Sequence, residues 1–142
     1  MNTLSHLNWL AVIVCTIVYF ALGALWFSPV LFVKAWMDGH GITMPTDEET
    51  RAKMRKEMPK YMSVTFSVCL IAVIALACLI SVTHTDNWMM GAKLGIIAAY
   101  FGATTIGLSH MHTKKSFKTF SIDAGYHAVG LIITGIILSI WH

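Results

Sequence analysis

Four long stretches of the chain carry almost no charged residue, and they restrict what the chain can fold into. Residues 7–33, 61–83 and 124–141 contain no lysine, arginine, aspartate or glutamate, and residues 88–109 contain only Lys93. An α-helix needs about 20 apolar residues to cross the hydrocarbon core of a bilayer. The pattern therefore predicts an all-α integral membrane four-helix bundle. Its expected spans lie near residues 8–27, 61–83, 87–109 and 120–141.

The composition supports the same class of protein. Of the 142 residues, 56% are hydrophobic and only 12% are charged, whereas a soluble domain carries about 25% charged residues. The length suits a single domain. The first apolar stretch follows no basic segment and exceeds the roughly 7–15 residues of a signal-peptide core. We therefore expect it to be retained as the first span.

The basic residues are divided unevenly between the loops. Of the ten lysines and arginines, six lie in residues 28–60, three lie in residues 110–118, and the last is Lys93. The positive-inside rule assigns such loops to the cytoplasm. We therefore predict a multi-pass protein of the bacterial inner membrane, with the first and third loops cytoplasmic and both termini outside. A net charge of +3 divided in this way does not indicate a nucleic-acid partner.

The first loop carries signals for two further helices. Ser28 and Pro29 are typical of a helix start, so we predict a short interfacial helix that begins at Pro29. Gly39 and Gly41 should end it. A polar cytoplasmic helix is expected next, over residues 47–58.

The predicted polar helix has recognisable boundaries. Thr46 and Glu49 have the spacing of a capping box, and Asp47 and Arg51 have the i,i+4 spacing of a helical ion pair. Because proline disrupts a helix interior, Pro59 is expected to separate this helix from the second span.

Small residues recur along the third and fourth spans. Helices in lipid associate by close packing, which small residues permit. The repetition predicts a tight hairpin of these two spans, with a homo-oligomer interface as the alternative. The glycines that we assign to helix packing are Gly23, Gly91, Gly95, Gly102, Gly125 and Gly130.

Asp123 and His127 are ionisable residues at the start of the fourth span. They are one helical turn apart and share a face. Such residues in a span are costly and usually face a partner or a watery cavity. The pair could relay protons or bind a solute. Alternatively, both residues are structural. Asp123 is then stabilised by the helix dipole near the start of the helix, and His127 forms a hydrogen bond to a neighbouring helix. Tyr126 lies beside them on another face, where an interfacial anchor is the simpler interpretation.

Histidines near the span ends raise the question of a metal. His110 and His112 follow the third span on the side of Asp123, and imidazole and carboxylate suit transition metals. The HxH spacing alone is a weak signal, however, and Lys114 and Lys115 oppose a cation. We expect no metal, with His110 and His112 as weak candidates. At the other side, His6, His84, Asp86 and His142 are expected to cluster only by chance.

The sequence gives little support for catalysis. It contains no GxSxG, HExxH, Walker lysine loop or Rossmann glycine pattern. The three cysteines fall within spans without CxxC spacing, as core residues do. We therefore expect no cofactor, and an enzyme is not the favoured interpretation.

Both ends of the chain resemble one known family. The segments concerned are Asn8–Val12, Leu22–Pro29, Phe32–Met37 and Phe120–His127, which resemble the DUF1761 family. The resemblance implies a small integral membrane protein without an established activity, and it is in keeping with four spans. It also implies that the family motifs include Gly23, Trp26, Ser28, Pro29, Lys34, Trp36, Asp123, Tyr126 and His127.

Of these motif residues, Trp26, Ser28, Pro29, Lys34 and Trp36 are expected at the same inner level as Asp123, and His127 is expected deeper. We therefore expect a polar site between the end of the first span, the short helix and the start of the fourth span. Lys34 could pair with Asp123 across it. The residues assigned to the site are Trp26, Ser28, Lys34, Trp36, Asp123, Tyr126 and His127.

Three classes of function follow. The leading hypothesis is a small-solute or proton-linked carrier or channel subunit that works as a homo-oligomer, with membrane lipid and an unknown small solute as its other partners. The second is a non-transporting scaffold or accessory subunit, or a binder of lipid or another hydrophobic ligand. The third, a membrane enzyme, would need a bound metal or cofactor near Asp123.

Overall fold

The chain folds into five α-helices, seen in a computed structural model that describes residues 3–141. A 3₁₀ turn at Thr3–His6 precedes them, and no strand occurs in this part of the chain. Four of the helices are long and apolar enough to cross a membrane, which confirms the predicted all-α class. The helices are α1 (Trp9–Trp26), α2 (Val33–His40), α3 (Glu48–Val82), α4 (Trp88–His112) and α5 (Phe117–Ile140).

Each of the four long helices starts at a polar N-cap. The side chains of Asn8, Asp47, Asn87 and Ser116 each accept a hydrogen bond from the backbone N–H three residues further on. These bonds satisfy N–H groups that the first helical turn leaves without partners. The short polar segments between the apolar stretches therefore fix where the long helices begin.

The short helix begins later than predicted. Residues 27–32 form turns instead, with the Leu31 N–H donating to the Ser28 carbonyl and the Phe32 N–H donating to the Trp26 carbonyl. These turns take up the hydrogen bonds that a helix starting at Pro29 would need. Gly41, at φ 67°, ends α2 in the left-handed conformation that glycine tolerates.

The predicted break at Pro59 is wrong. Helix α3 runs without interruption from Glu48 to Val82, with the proline inside it. A proline removes one backbone donor, but the helix on either side keeps its own hydrogen bonds. The cap is also shifted by one residue from the predicted capping box, because Asp47 accepts from the Thr50 N–H. Glu48 forms the local ion pair with Arg55, while Arg51 donates to the Pro45 carbonyl.

Helix α5 lies at the centre of the bundle and contacts each of the other four helices. It packs most closely on α4, where a Cβ added to Gly91 would lie 2.3 Å from the Gly135 carbonyl oxygen. Helix α1 lies against both α3 and α5. By contrast, α3 and α4 contact each other little, which leaves a lateral gap between them.

Candidate functional site

The Asp123 carboxylate, on α5, contacts side chains of both α2 and α4. Its Oδ1 accepts a hydrogen bond from the Trp36 indole N–H of α2 at 2.8 Å. Its Oδ2 lies 3.0 Å from Nε2 of His110, near the end of α4, and 3.8 Å from Nε2 of His40, the last residue of α2. We call Trp36, His40, His110 and Asp123 the polar cluster.

His40 is a member of this cluster that the sequence analysis missed. Its Nδ1 lies 2.9 Å from the carbonyl oxygen of Trp36, one turn earlier. The two rings are also close, with their centroids 4.3 Å apart. The i,i+4 spacing of Trp36 and His40 was the available signal, because it places both side chains on one face of a helix.

Gly39, which was predicted to end the short helix, lies inside α2 and brings it against α5. A Cβ added to Gly39 would lie 2.0 Å from Oγ1 of Thr119, so no larger residue fits without movement. Because Thr119 is one turn before Asp123, this close approach carries the end of α2 to the carboxylate. The two histidines of α4 differ in position. His110 is buried in the polar cluster, whereas His112 is exposed and lies outside it.

Asp123 and His127 have separate partners. Nδ1 of His127 lies 2.7 Å from the hydroxyl of Tyr19, on α1. The Tyr126 hydroxyl donates to the Tyr19 carbonyl at 3.4 Å and lies 3.5 Å from Sγ of Cys69. Tyr126 is therefore a buried contact between α1, α3 and α5, in place of the expected interfacial anchor.

Of the other predicted site residues, Trp26 forms a hydrogen bond to α5, whereas Ser28 and Lys34 do not form the expected contacts within the described part of the chain. The Trp26 indole N–H donates to the Ile122 carbonyl at 3.1 Å, which fixes the end of α1 on α5. The hydroxyl of Ser28 is buried and has no hydrogen-bond partner among residues 3–141. The expected pair of Lys34 with Asp123 is absent from the described structure, because Lys34 is exposed and the carboxylate faces Trp36 and the histidines.

Most of the predicted packing glycines lie against another helix. An added Cβ would lie 2.2 Å from the Tyr19 ring at Gly130, 3.2 Å from the Trp26 ring at Gly125 and 3.0 Å from the Tyr126 hydroxyl at Gly23. Gly95 similarly approaches the backbone of α5. Gly102 is the exception, because nothing lies within 4 Å of the position of its Cβ.

A cavity of about 480 Å³ opens beside the polar cluster, at the gap between α3 and α4. We call it the lateral groove. Its polar wall consists of His110, Asp123, Tyr126 and His127. Its mouth, between α3 and α4, is mainly apolar but also includes the exposed residues Thr65, Thr105 and Ser109. The volume lies within the roughly 300–1,000 Å³ typical of small-molecule sites. The apolar residues at the mouth include Val64, Val68 and Ile106.

Fold and site together define a class: a small helical protein with four helices able to cross a membrane and a polar cluster at one end of the bundle. This architecture is consistent with a multi-pass membrane protein. Residues 10–139 match the model of DUF1761, described as a protein family of unknown function, and the chain belongs to that family. No curated protein and no solved structure matches the chain.

Proposed function

We propose that the protein binds a small amphipathic ligand that enters the lateral groove from the bilayer. The observation that carries this proposal is the make-up of the groove, in which one polar wall faces a mainly apolar mouth between two helices that could span a membrane. A ligand with a hydrogen-bonding head and an apolar body matches both surfaces. The side chains of Val64 and Val68 at the mouth are exposed, as lipid-facing residues are.

His127 is the residue best placed to receive the ligand head. Its Nδ1 is occupied by the Tyr19 hydroxyl, which fixes the orientation of the ring. Its Nε2 has no hydrogen-bond partner in residues 3–141, and the ring lines the groove. A hydrogen bond in a medium without water is stronger than one in water. The ligand head is therefore expected to bond to this nitrogen.

A photoreactive fatty acid tests the groove directly. The protein is reconstituted in nanodiscs, labelled with a diazirine-bearing octanoic acid, and digested for mass spectrometry. We expect saturable labelling around Val68 and Ile106. Val68→Trp should weaken it about tenfold, equivalent to about 1.4 kcal/mol, by filling the mouth. Val82→Trp is the matched control, because Val82 is also an exposed valine of α3 but lies away from the groove.

Labelling spread evenly over the lipid-facing helices, with no effect of Val68→Trp, would contradict the proposal. In that case a scaffold or accessory role would become the better hypothesis, because it requires no occupied groove.

A second candidate is movement of the ligand across the membrane by a carrier. The observation that favours it is a cavity of about 300 Å³ at the opposite end of the bundle, lined by His6, His84 and Asp86 among others. His142, expected nearby, lies outside the described residues. A packed layer that includes Val12 and Val73 lies in the core of the bundle, so passage requires rearrangement. This candidate predicts ligand flux into proteoliposomes that Val68→Trp abolishes.

The carrier hypothesis also includes the expected homo-oligomer. Four helices enclose little room, so association of copies would help to form a path. Native mass spectrometry from detergent checks this: a monomer at all protein concentrations would count against it.

A further inference from the structure

We propose that His40, His110 and Asp123 bind one divalent transition-metal ion. This inference goes beyond the proposed ligand site, because it concerns a different ligand and requires no occupant of the groove. One donor atom from each of the three residues lies within 4.8 Å of the other two. The donors come from α2, α4 and α5, which are distant in sequence, so the fold itself assembles the set.

The distances between the donors suit a metal of ordinary size. Bonds from zinc to imidazole nitrogen or carboxylate oxygen measure about 2.0–2.2 Å, so adjacent donors of a tetrahedral site are about 3.3–3.6 Å apart. The observed separations from Asp123 are 3.0 Å to His110 and 3.8 Å to His40, on either side of that range. The three donors are known only to lie within 4.8 Å of one another, so the two imidazoles would have to move together to complete a tetrahedral site.

The orientation of His40 presents a lone pair to the site. Its Nδ1 lies 2.9 Å from the Trp36 carbonyl oxygen, which can only accept. Nδ1 of the neutral ring therefore carries the proton, and Nε2 is left as an acceptor that faces the Asp123 carboxylate. A cation between these two acceptors removes their repulsion. A backbone carbonyl behind the ring is also the usual outer-shell partner of a metal-bound histidine.

The other two residues of the proposed site are Asp123 and His110. The Trp36 indole N–H fixes Oδ1 of Asp123, which leaves Oδ2 directed at both histidines. His110 is buried, and its Nδ1 has no hydrogen-bond partner among the described residues. A buried histidine in a purely structural pair is expected to have both nitrogens satisfied. A metal on Nε2 would leave the ring proton on this Nδ1, which would then need an acceptor of its own.

The donor set selects the class of metal. Two imidazoles and one carboxylate suit Zn²⁺, Fe²⁺, Co²⁺ or Ni²⁺, whereas Mg²⁺ and Ca²⁺ prefer oxygen ligands. Three protein ligands leave at least one coordination position open. That position can face the lateral groove, because His110 and Asp123 also line it.

Positive charges near the site do not forbid a cation. Lys115 shares one cavity with His110, and Lys114, Lys115 and Lys118 line another, of about 620 Å³, that also borders His40. Lys114 and Lys118 are exposed, so water and salt screen their charges. Asp38 lines the same cavity and offsets part of that charge.

Metal uptake by the purified full chain tests the proposal. The protein is prepared in detergent without a histidine tag, stripped with EDTA and titrated with Co²⁺ and then Zn²⁺. We expect one ion per chain, visible absorption bands typical of low-coordinate Co²⁺, and a higher unfolding temperature, because the ion ties α2 to α4 and α5. His40→Ala and His110→Ala should each weaken binding more than about 100-fold, equivalent to about 2.7 kcal/mol.

Two further variants separate ligation from general damage. His112→Ala removes an exposed histidine two residues from His110 and should leave affinity unchanged. Trp36→Phe keeps an aromatic ring but removes the indole N–H, so affinity should fall about 10–100-fold. If His40→Ala does not elute as a monodisperse species, His40→Gln replaces it. The proposal is overturned if wild type takes up no stoichiometric ion, or if loss of His40 leaves affinity at the level of His112→Ala.

Discussion

At the scale of single residues, the polar cluster depends on Trp36. Its indole N–H donates to one carboxylate oxygen of Asp123, and its carbonyl oxygen accepts a hydrogen bond from Nδ1 of His40. One residue of a short helix thus orients side chains on two elements. Tyr19 has a similar position on α1, where its hydroxyl meets His127 and its carbonyl meets Tyr126.

The Tyr19–His127 bond can be tested by removing one oxygen. In Tyr19→Phe, Nδ1 of His127 loses its partner inside the bundle, and an unsatisfied buried group costs about 1–3 kcal/mol. We expect a lower unfolding temperature in detergent. Tyr100→Phe, at an exposed tyrosine of α4, is the control and should leave it unchanged. Equal unfolding temperatures for both variants would show that the bond contributes nothing to stability.

The sequence singled out Asp123 and His127 as polar residues of a span, but it did not indicate their partners. Helical spacing placed Asp123 and His127 on one face, and both line the same groove. Their hydrogen-bond partners are distant in the chain, however: Tyr19 is 108 residues from His127. Such pairings depend on how helices pack, which a helical period does not specify. His40 shares a helix face with Trp36 by its i,i+4 spacing, but its approach to Asp123 depends in the same way on helix packing.

At the scale of the elements, glycines decide how closely the helices approach. Gly95 and Gly102 both lie on α4, seven residues apart, and helical periodicity places them on nearly the same face. A Cβ at Gly95 would lie 2.5 Å from the Leu131 carbonyl oxygen, whereas a Cβ at Gly102 meets nothing within 4 Å. The α4–α5 hairpin is therefore tight near Gly95 and open near Gly102.

This difference predicts opposite effects of the same substitution. Gly95→Ala should destabilise the bundle by about 1–3 kcal/mol, because backbone atoms of α5 must move. Gly102→Ala should be neutral or stabilise it by about 0.5–1 kcal/mol, because alanine is the better helix former. Reversible unfolding in mixed detergent micelles measures both. Equal destabilisation by the two variants would mean that Gly102 has a contact that the single chain lacks.

The existence of the long helices followed from local sequence, but their boundaries did not always do so. Four apolar stretches correspond to the four long helices, and a polar cap precedes each helix. A helix is expected for such a stretch because a segment in lipid must satisfy its backbone groups internally. The rule that proline ends a helix failed at Pro59, since α3 continues on both sides of it. The start of α2 also differed, because turns after Trp26 use the backbone groups that a helix at Pro29 requires.

At the scale of the whole molecule, the two ends of the bundle are chemically different. Antiparallel connections bring α2, the end of α4 and the start of α5 together, with the polar cluster and the third-loop lysines at that end. At the opposite end, the Asn8 side chain donates to the Trp141 carbonyl at 3.5 Å. Both ends of the described chain therefore lie on the side away from the lysines.

This asymmetry makes the predicted location and orientation, in a bacterial inner membrane, testable. The basic loops should remain in the cytoplasm, so alkaline phosphatase fused after residue 142 should be active and a green fluorescent protein fused there should be dark. A fluorescent protein inserted between Ile42 and Thr43, in the first loop, should fluoresce. Fluorescence from the fusion after residue 142 would show that the orientation is the opposite of the one predicted. The proposed metal site would then face away from the cytosol and draw its ion from the extracytoplasmic side.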